Sequence, residues 1–177
     1  IAKHHEGNVQ LFKNPKGFRE TLPSVVAYRK NGILIGDKAR ELKDRDPQNV
    51  FSSFKRKMGT DETYFVTQTQ ETIDPIHLSM LVLNELKTFI REDHPRSVVI
   101  TIPASFDTIQ SNATKEAGKL AGFEEVVLLQ EPIAACLAVF NQQHTSGDSG
   151  KWLIYDLGGG TFDVAIVSAT EEELKVV

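Results

Sequence analysis

The segment Tyr155-Asp-Leu-Gly-Gly-Gly-Thr-Phe-Asp-Val-Ala-Ile-Val167 sets three consecutive glycines between two apolar runs, with an aspartate on either side. Glycine within a strand costs backbone entropy and supplies nothing to pack, so three together mark a tight turn or a place where something touches the backbone. At the tip of a two-stranded hairpin, Gly158, Gly159 and Gly160 can aim several N–H groups at one spot, which suits phosphate oxygens. Thr161 adds a hydroxyl donor. Asp156 closes what reads as a buried strand, where a bare charge is costly. A hydrated Mg²⁺ would offset that cost, because it keeps several waters and takes one or two carboxylates. Asp163 falls on the same strand face as Thr161. Local sequence alone leaves a plain glycine hairpin with solvated aspartates open.

Two other phosphate-binding patterns fail on spacing. A Walker A loop needs glycine at position 145, which is Thr145, and Ser or Thr after Gly150-Lys151, where Trp152 stands. A dinucleotide fingerprint through Gly158 and Gly160 needs a third glycine where Asp163 lies.

The 177 residues suffice for a domain with a real core. A net charge of -4 gives no pull toward nucleic acid or an anionic membrane. The single cysteine, Cys136, excludes an internal disulfide and a multi-cysteine metal site. With no apolar run of membrane-spanning length and no signal-peptide pattern at the start, a cytoplasmic setting is expected. The chain opens on Ile1 and stops at a β-type run, Leu174-Lys-Val-Val177, so a fragment of a longer protein is expected.

Strands are expected at Val9–Phe12, Ser24–Tyr28 and Ile33–Ile35, the last two joined by Asn31-Gly32. A short charged helix should follow Gly36 and stop at Asp46-Pro47. Val50, Phe54 and Met58 at helical spacing predict a helix over 48–58. From Pro75 the pattern turns to alternating helices and strands. The amphipathic helix of Ile76, Met80, Leu83, Leu86 and Ile90 comes first, then strand 98–102, helix 107–121, strand 126–129 and helix 133–140. That order argues for an α/β fold with a buried parallel or mixed sheet.

Two more constellations bear on chemistry. In Gln130-Glu131-Pro132 a carboxylate follows a strand and precedes proline in the first helical turn. It serves either the helix N-terminus or the ligand-binding carboxyl edge of the sheet. In Phe54-Lys-Arg-Lys-Met58 one of three cations could reach a phosphoryl group, and the local sequence does not choose among Lys55, Arg56 and Lys57.

Together these pieces resemble the ATPase domain of the heat shock protein 70 family, the DnaK-type chaperones. The resemblance is carried by Asp156-Leu-Gly-Gly-Gly-Thr-Phe-Asp163, Ile102-Pro-Ala-Ser-Phe106, Asn112-Ala-Thr-Lys-Glu-Ala-Gly118 and Glu131-Pro-Ile-Ala-Ala135. Weaker matches are Leu22-Pro-Ser-Val-Val26, Ile35-Gly-Asp-Lys-Ala39 and the segment Asn49–Gly59. The resemblance implies a two-lobed, actin-like (ribonuclease H-like) α/β ATPase with ATP or ADP and Mg²⁺ between its lobes, and allows K⁺. Residues 1–145 would form most of lobe I, with about 23–74 as its outer subdomain, and 146–177 would begin lobe II.

The resemblance selects Lys55 as the lysine near the γ-phosphate and the attacking water. It implies that Glu131 and Asp156 hold Mg²⁺ through its waters, that Gly158, Gly159, Gly160 and Thr161 cradle phosphates, and that Asp163 serves an ion or the water. Pro103 matches a switch proline. Against the family pattern, Ser111 replaces an arginine, Ser105 an aromatic residue, Ile133 a threonine and Cys136 an alanine. The first two departures bear on the relay and not on the phosphate chemistry. A first phosphate motif, Asp-x-Gly-Thr-Thr, is expected before Ile1, so the chain by itself should bind ATP weakly and hydrolyse it negligibly. In the longer protein a J-domain co-chaperone, a nucleotide exchange factor and client peptides are the implied partners. An actin-fold sugar or acid kinase and a catalytically silent nucleotide-binding module are the alternatives.

Overall fold

The computed structural model describes residues 1–5, 8–15, 20–90, 95–143, 149–157, 162–170 and 173–177. The chain begins with an antiparallel hairpin, β1 (Ala2–His5) and β2 (Asn8–Leu11). His4 and His5 are strand residues of β1.

A three-stranded antiparallel sheet follows, with β3 (Val25–Arg29) between β4 (Gly32–Ile35) and β5 (Val50–Ser52). The β3–β4 turn is Lys30-Asn31, and Gly32 takes the positive φ of 131° that glycine favours. α1 (Asp37–Arg40) is the short charged helix, with Ala39 buried beneath it.

The helix expected over 48–58 does not form. Val26 pairs with Phe51 and Val25 with Ser52, so β5 is an edge strand, and Ser53 at φ 60° ends it. A 3₁₀ turn, Phe54–Lys57, follows. The helical spacing of Val50, Phe54 and Met58 was overridden because Phe51 packs between Tyr28 and Tyr64 as a strand residue. A further hairpin, β6 (Tyr64–Val66) with β7 (Glu71–Ile73), turns through Gln70 at φ 61°. Its return strand was not legible in the Thr/Gln-rich sequence. Asn49, buried beside it, accepts from the Thr67 hydroxyl and donates to Asp46, tying the turn to the sheet.

α2 (Pro75–Lys87) starts where Asp74 accepts from the His77 N–H, with proline in the first turn. Its buried Leu78 and Val82 join Val26, Tyr28, Phe51, Phe54 and Val66 in the main core. The expected stripe through Ile76 and Leu83 faces elsewhere, toward Met58, Ala113 and Ala117. α2 is thus packed on two sides, which blurs any single amphipathic stripe.

β8 (Ser97–Ile102), α3 (Thr108–Leu120) and β9 (Glu125–Gln130) form a parallel βαβ unit, with Ile102 opposite Gln130. The expected double-sided burial is not observed among the described residues, since Val99 and Val127 are exposed while alternate residues are covered. α3 covers one face. Gly118 lets it approach so closely that an added Cβ would stand 2.9 and 3.0 Å from the Val126 methyls and 3.3 Å from Ile100 Cδ1. Gly118→Ala should therefore destabilise the protein by about 1–2 kcal/mol, because overpacking outweighs the gain in helix propensity. A chemical melt checks this, and a stabilised variant would refute it.

α4 (Glu131–Gln143) packs through Ile133 and Cys136 on the last sheet, β10 (Gly150–Leu157), β11 (Phe162–Ala169) and β12 (Leu174–Val176). Phe140 meets Trp152 edge-on at 5.3 Å. Trp152, Ile154 and Asp156 share the α4 face with Val167, Ala165 and Asp163. The opposite face, including Tyr155, Leu157 and Phe162, is exposed.

Within the main core the Tyr28 hydroxyl is buried without a hydrogen-bond partner. Burial, and secondarily the Glu71 charge, raise its pKa. Tyr28→Phe should thus be neutral or stabilising by up to about 1 kcal/mol, since it removes an unsatisfied polar atom. The folded state holds the phenolic proton more tightly, so this residue's share of stability is complete below the ordinary phenol pKa. That share is lost as pH rises through the higher folded value. Alkaline melts should show a smaller loss for Tyr28→Phe, and identical profiles would refute the assignment.

Candidate active site

The parallel register puts two of the sequence candidates side by side. Ile102 and Gln130 are partners, and the next residues are Pro103 and Glu131, at the carboxyl edge of neighbouring strands about 4.8 Å apart. Pro103 starts a tight turn in which its carbonyl accepts from the Phe106 N–H at 3.2 Å. That turn delivers Asp107, whose carboxylate and the Gln110 amide cap α3 reciprocally. Glu131 opens α4, where a carboxylate also favours the helix N-terminus.

Lys55 meets this edge from 76 residues away, its Nζ 2.5 Å from Glu131 Oε1. Lys57 turns instead toward Glu62, at 3.7 Å. The geometry thus separates two cations that local sequence could not. The 3₁₀ turn carrying Lys55 is anchored on each side by buried residues, Phe54 in the main core and Met58 against α2 and α3. Met58 was not singled out as a site-supporting residue; its signal lay in the helical spacing that misread this segment.

The Lys55 side chain is 53% exposed and that of Glu131 21%, so the pair is of the solvated kind, worth about 0.2–1 kcal/mol. Such a pair is readily exchanged for stronger ligands.

Asp156 and Asp163 are directly opposed across β10 and β11. Asp156 is exposed rather than at the end of a buried strand, because the end of the hairpin runs past the covered part of the sheet, while Asp163 is partly buried. Like charges facing each other across a ladder repel, so this pair fits a cation between or beside them. Gly158, Gly159, Gly160 and Thr161 lie outside the described residues. Among the described residues no three His, Cys, Asp or Glu side chains converge closely enough to hold a metal directly.

Depressions lie away from this edge. One of about 440 Å³ lies beside Arg29, Lys30 and Gln68. A groove of about 1020 Å³ separates the first hairpin, at Ala2 and Val9, from β8 at Val99 and from Leu83 and Phe123. Cys136 is buried, and burial raises its thiol pKa, so it behaves as a small apolar residue of the α4 interface. No helix is long and apolar enough to cross a membrane among the described residues.

Lys55 and Glu131 thus meet at the carboxyl edge of parallel strands, the edge at which open α/β folds bind their ligands. The family model described as "Hsp70 protein" matches residues 1–177. The chain belongs to the Hsp70 family. It is 40% identical over 176 residues to the chaperone protein DnaK of Thermotoga maritima, covering 97% of this chain and 29% of that protein. The chaperone protein DnaK of Thermosipho africanus is likewise 40% identical over 176 residues, with the same 97% and 29% coverage. That of Mycoplasmopsis synoviae is 36% identical over 173 residues, covering 96% of this chain and 28% of the relative. The chain thus spans less than a third of the length of these relatives.

Proposed function

We propose that these residues form part of the ATP-binding and ATP-hydrolysing domain of a DnaK-type chaperone, in which hydrolysis is coupled to binding and release of client peptides. The observation that carries this reading is the Lys55–Glu131 pair beside Pro103 at the carboxyl edge of β8 and β9. Residues 1–145 belong to lobe I, with an outer subdomain at about 23–74, and 146–177 begin lobe II in the actin-like arrangement.

Phosphoryl transfer is accelerated mainly by positioning and charge neutralisation. Lys55 neutralises Glu131. Glu131 and Asp156 would hold Mg²⁺ through its waters, and the ion would supply neutralisation of phosphate charge. Lys55, once released from its carboxylate partner, faces the γ-phosphate and the attacking water. Asp163 orients water or a monovalent ion such as K⁺, and Gly158 to Thr161 cradle the phosphates.

Pro103 is the switch residue between nucleotide and peptide-binding parts, and Ser105 and Ser111 make its relay different from the usual one. A J-domain co-chaperone, a nucleotide exchange factor and client peptides are the partners, in a cytoplasmic setting. The groove between β1 and β8 supports a further strand in the lobe I sheet, the position suited to the Asp-x-Gly-Thr-Thr motif.

Calorimetry with MgATP tests the reading. The 177-residue chain should bind weakly, and a chain extended to both lobes should bind tightly. Failure of both to bind would favour a silent module, and transfer of phosphate to a small acceptor would favour a kinase.

A further inference from the structure

We propose that Gly59 is a positioning residue for Lys55, acting through its contact with the first turn of α3; this rests on the reading of Lys55 as the phosphate-facing lysine. The 3₁₀ turn Phe54–Lys57 has little cohesion of its own. It is one turn long, its N-cap Ser53 makes no capping bond, and Ser53 sits at φ 60°. What fixes it is packing at its two ends. Phe54 enters the main core, and Met58 lies among Ala113, Ala117, Ile76 and Leu83, with the Ser79 hydroxyl 3.3 Å from its sulfur.

Gly59 completes the C-terminal anchor. It stands at φ 75°, and a Cβ built there would lie 2.9 Å from Ile109 Cγ2, 3.0 Å from the Gln110 nitrogen and 3.1 Å from the Ile109 carbonyl carbon. Two of those three atoms are backbone of a capped helix turn and cannot step aside. The chain leaving the lysine turn is therefore in direct contact with the start of α3. That start follows the Pro103–Phe106 turn, and Pro103 is level with Glu131 in the register. Lys55 and Glu131 meet at 2.5 Å because both are referred to the same edge, Glu131 through β9 and Lys55 through Gly59 on α3. Any side chain at position 59 forces the turn off α3 and shifts Lys55 away from the carboxylate.

The test reads the lysine itself. Acetylation of each lysine by a water-soluble active ester is followed by mass spectrometry on the 177-residue chain. Glu131→Gln sets the rate for an unpaired Lys55. Gly59→Asn tolerates the left-handed backbone better than alanine does, yet it still places a Cβ against α3, so it isolates the contact from backbone strain. The expected result is a Lys55 rate raised about threefold, to the Glu131→Gln level, as for loss of an exposed ion pair. Lys87, which donates to the Ala121 carbonyl at the far end of α3, should be unchanged.

A Lys55 rate equal to the unsubstituted chain overturns the proposal, as does an equal rise at Lys87, or no rise in Glu131→Gln. If Gly59→Asn fails to fold, the same substitution in an Ile109→Ala background decides by the same criteria. Ile109 is 64% exposed, and its truncation removes the 2.9 Å clash with Cγ2 without creating a core cavity, while the backbone atoms of the abutment remain to displace the turn. These outcomes concern geometry only. The role of Lys55 toward phosphate fails separately, if Lys55→Ala in a two-lobed chain keeps its ATP turnover.

Discussion

Lys55→Ala in a chain extended to both lobes is expected to lower ATP turnover about 10²- to 10³-fold, the usual cost of removing one charged or hydrogen-bonding group that acts on a transition state. Nucleotide affinity should fall by less than tenfold, because the lysine contributes most where charge develops during transfer. The structural basis is the ion pair with Glu131, which holds the ammonium at the carboxyl edge of β8 and β9. Because the pair is half exposed, losing it should change stability by about 1 kcal/mol at most, so the effect on turnover is separable from folding. Single-turnover kinetics with equilibrium nucleotide binding is the check. Unchanged turnover would remove Lys55 from the mechanism, and equal losses in binding and turnover would make it an ordinary ground-state contact.

Leu78→Ala is expected to destabilise the chain by about 3 kcal/mol, within the range of about 2–5 for fully buried leucines. Leu78 has no exposed surface, and it packs in one cluster with Val26, Tyr28, Phe51, Phe54 and Val66. The cavity would open between α2 and the three-stranded sheet, both relatively rigid, so it should collapse poorly. Phe54 is part of the same wall and immediately precedes Lys55, so the variant should also raise Lys55 reactivity before global unfolding. A urea melt with an unchanged slope reads the first effect. A loss below about 1 kcal/mol would mean that the site is less tightly packed than the structure has it.

Sequence made the βαβ unit from 97 to 130 largely legible because its signals are local. These are a β-branched run closed by Pro103, the Asp107 cap of α3, and proline after Glu131. The segment 48–58 was misread because spacing alone cannot register that Phe51 has a strand partner in Val26, a contact set by residues far along the chain. The second strand of the β6–β7 hairpin was missed for the same reason, since Glu71-Thr-Ile73 carries little intrinsic strand signal and relies on Tyr64–Val66 beside it.

The amino-acid order by itself determined the α/β class, the family resemblance and the identity of the candidate carboxylates, because those reside in runs of a few adjacent residues. Local spacing left three cations at 55–57 equivalent, and within the sequence the resemblance alone pointed to Lys55. The tertiary structure supplied the contact, because the direction of a side chain on a one-turn 3₁₀ segment depends on what anchors its ends. Here Phe54, Met58 and Gly59 fix the turn against two helices, and Lys55 is the cation that reaches Glu131.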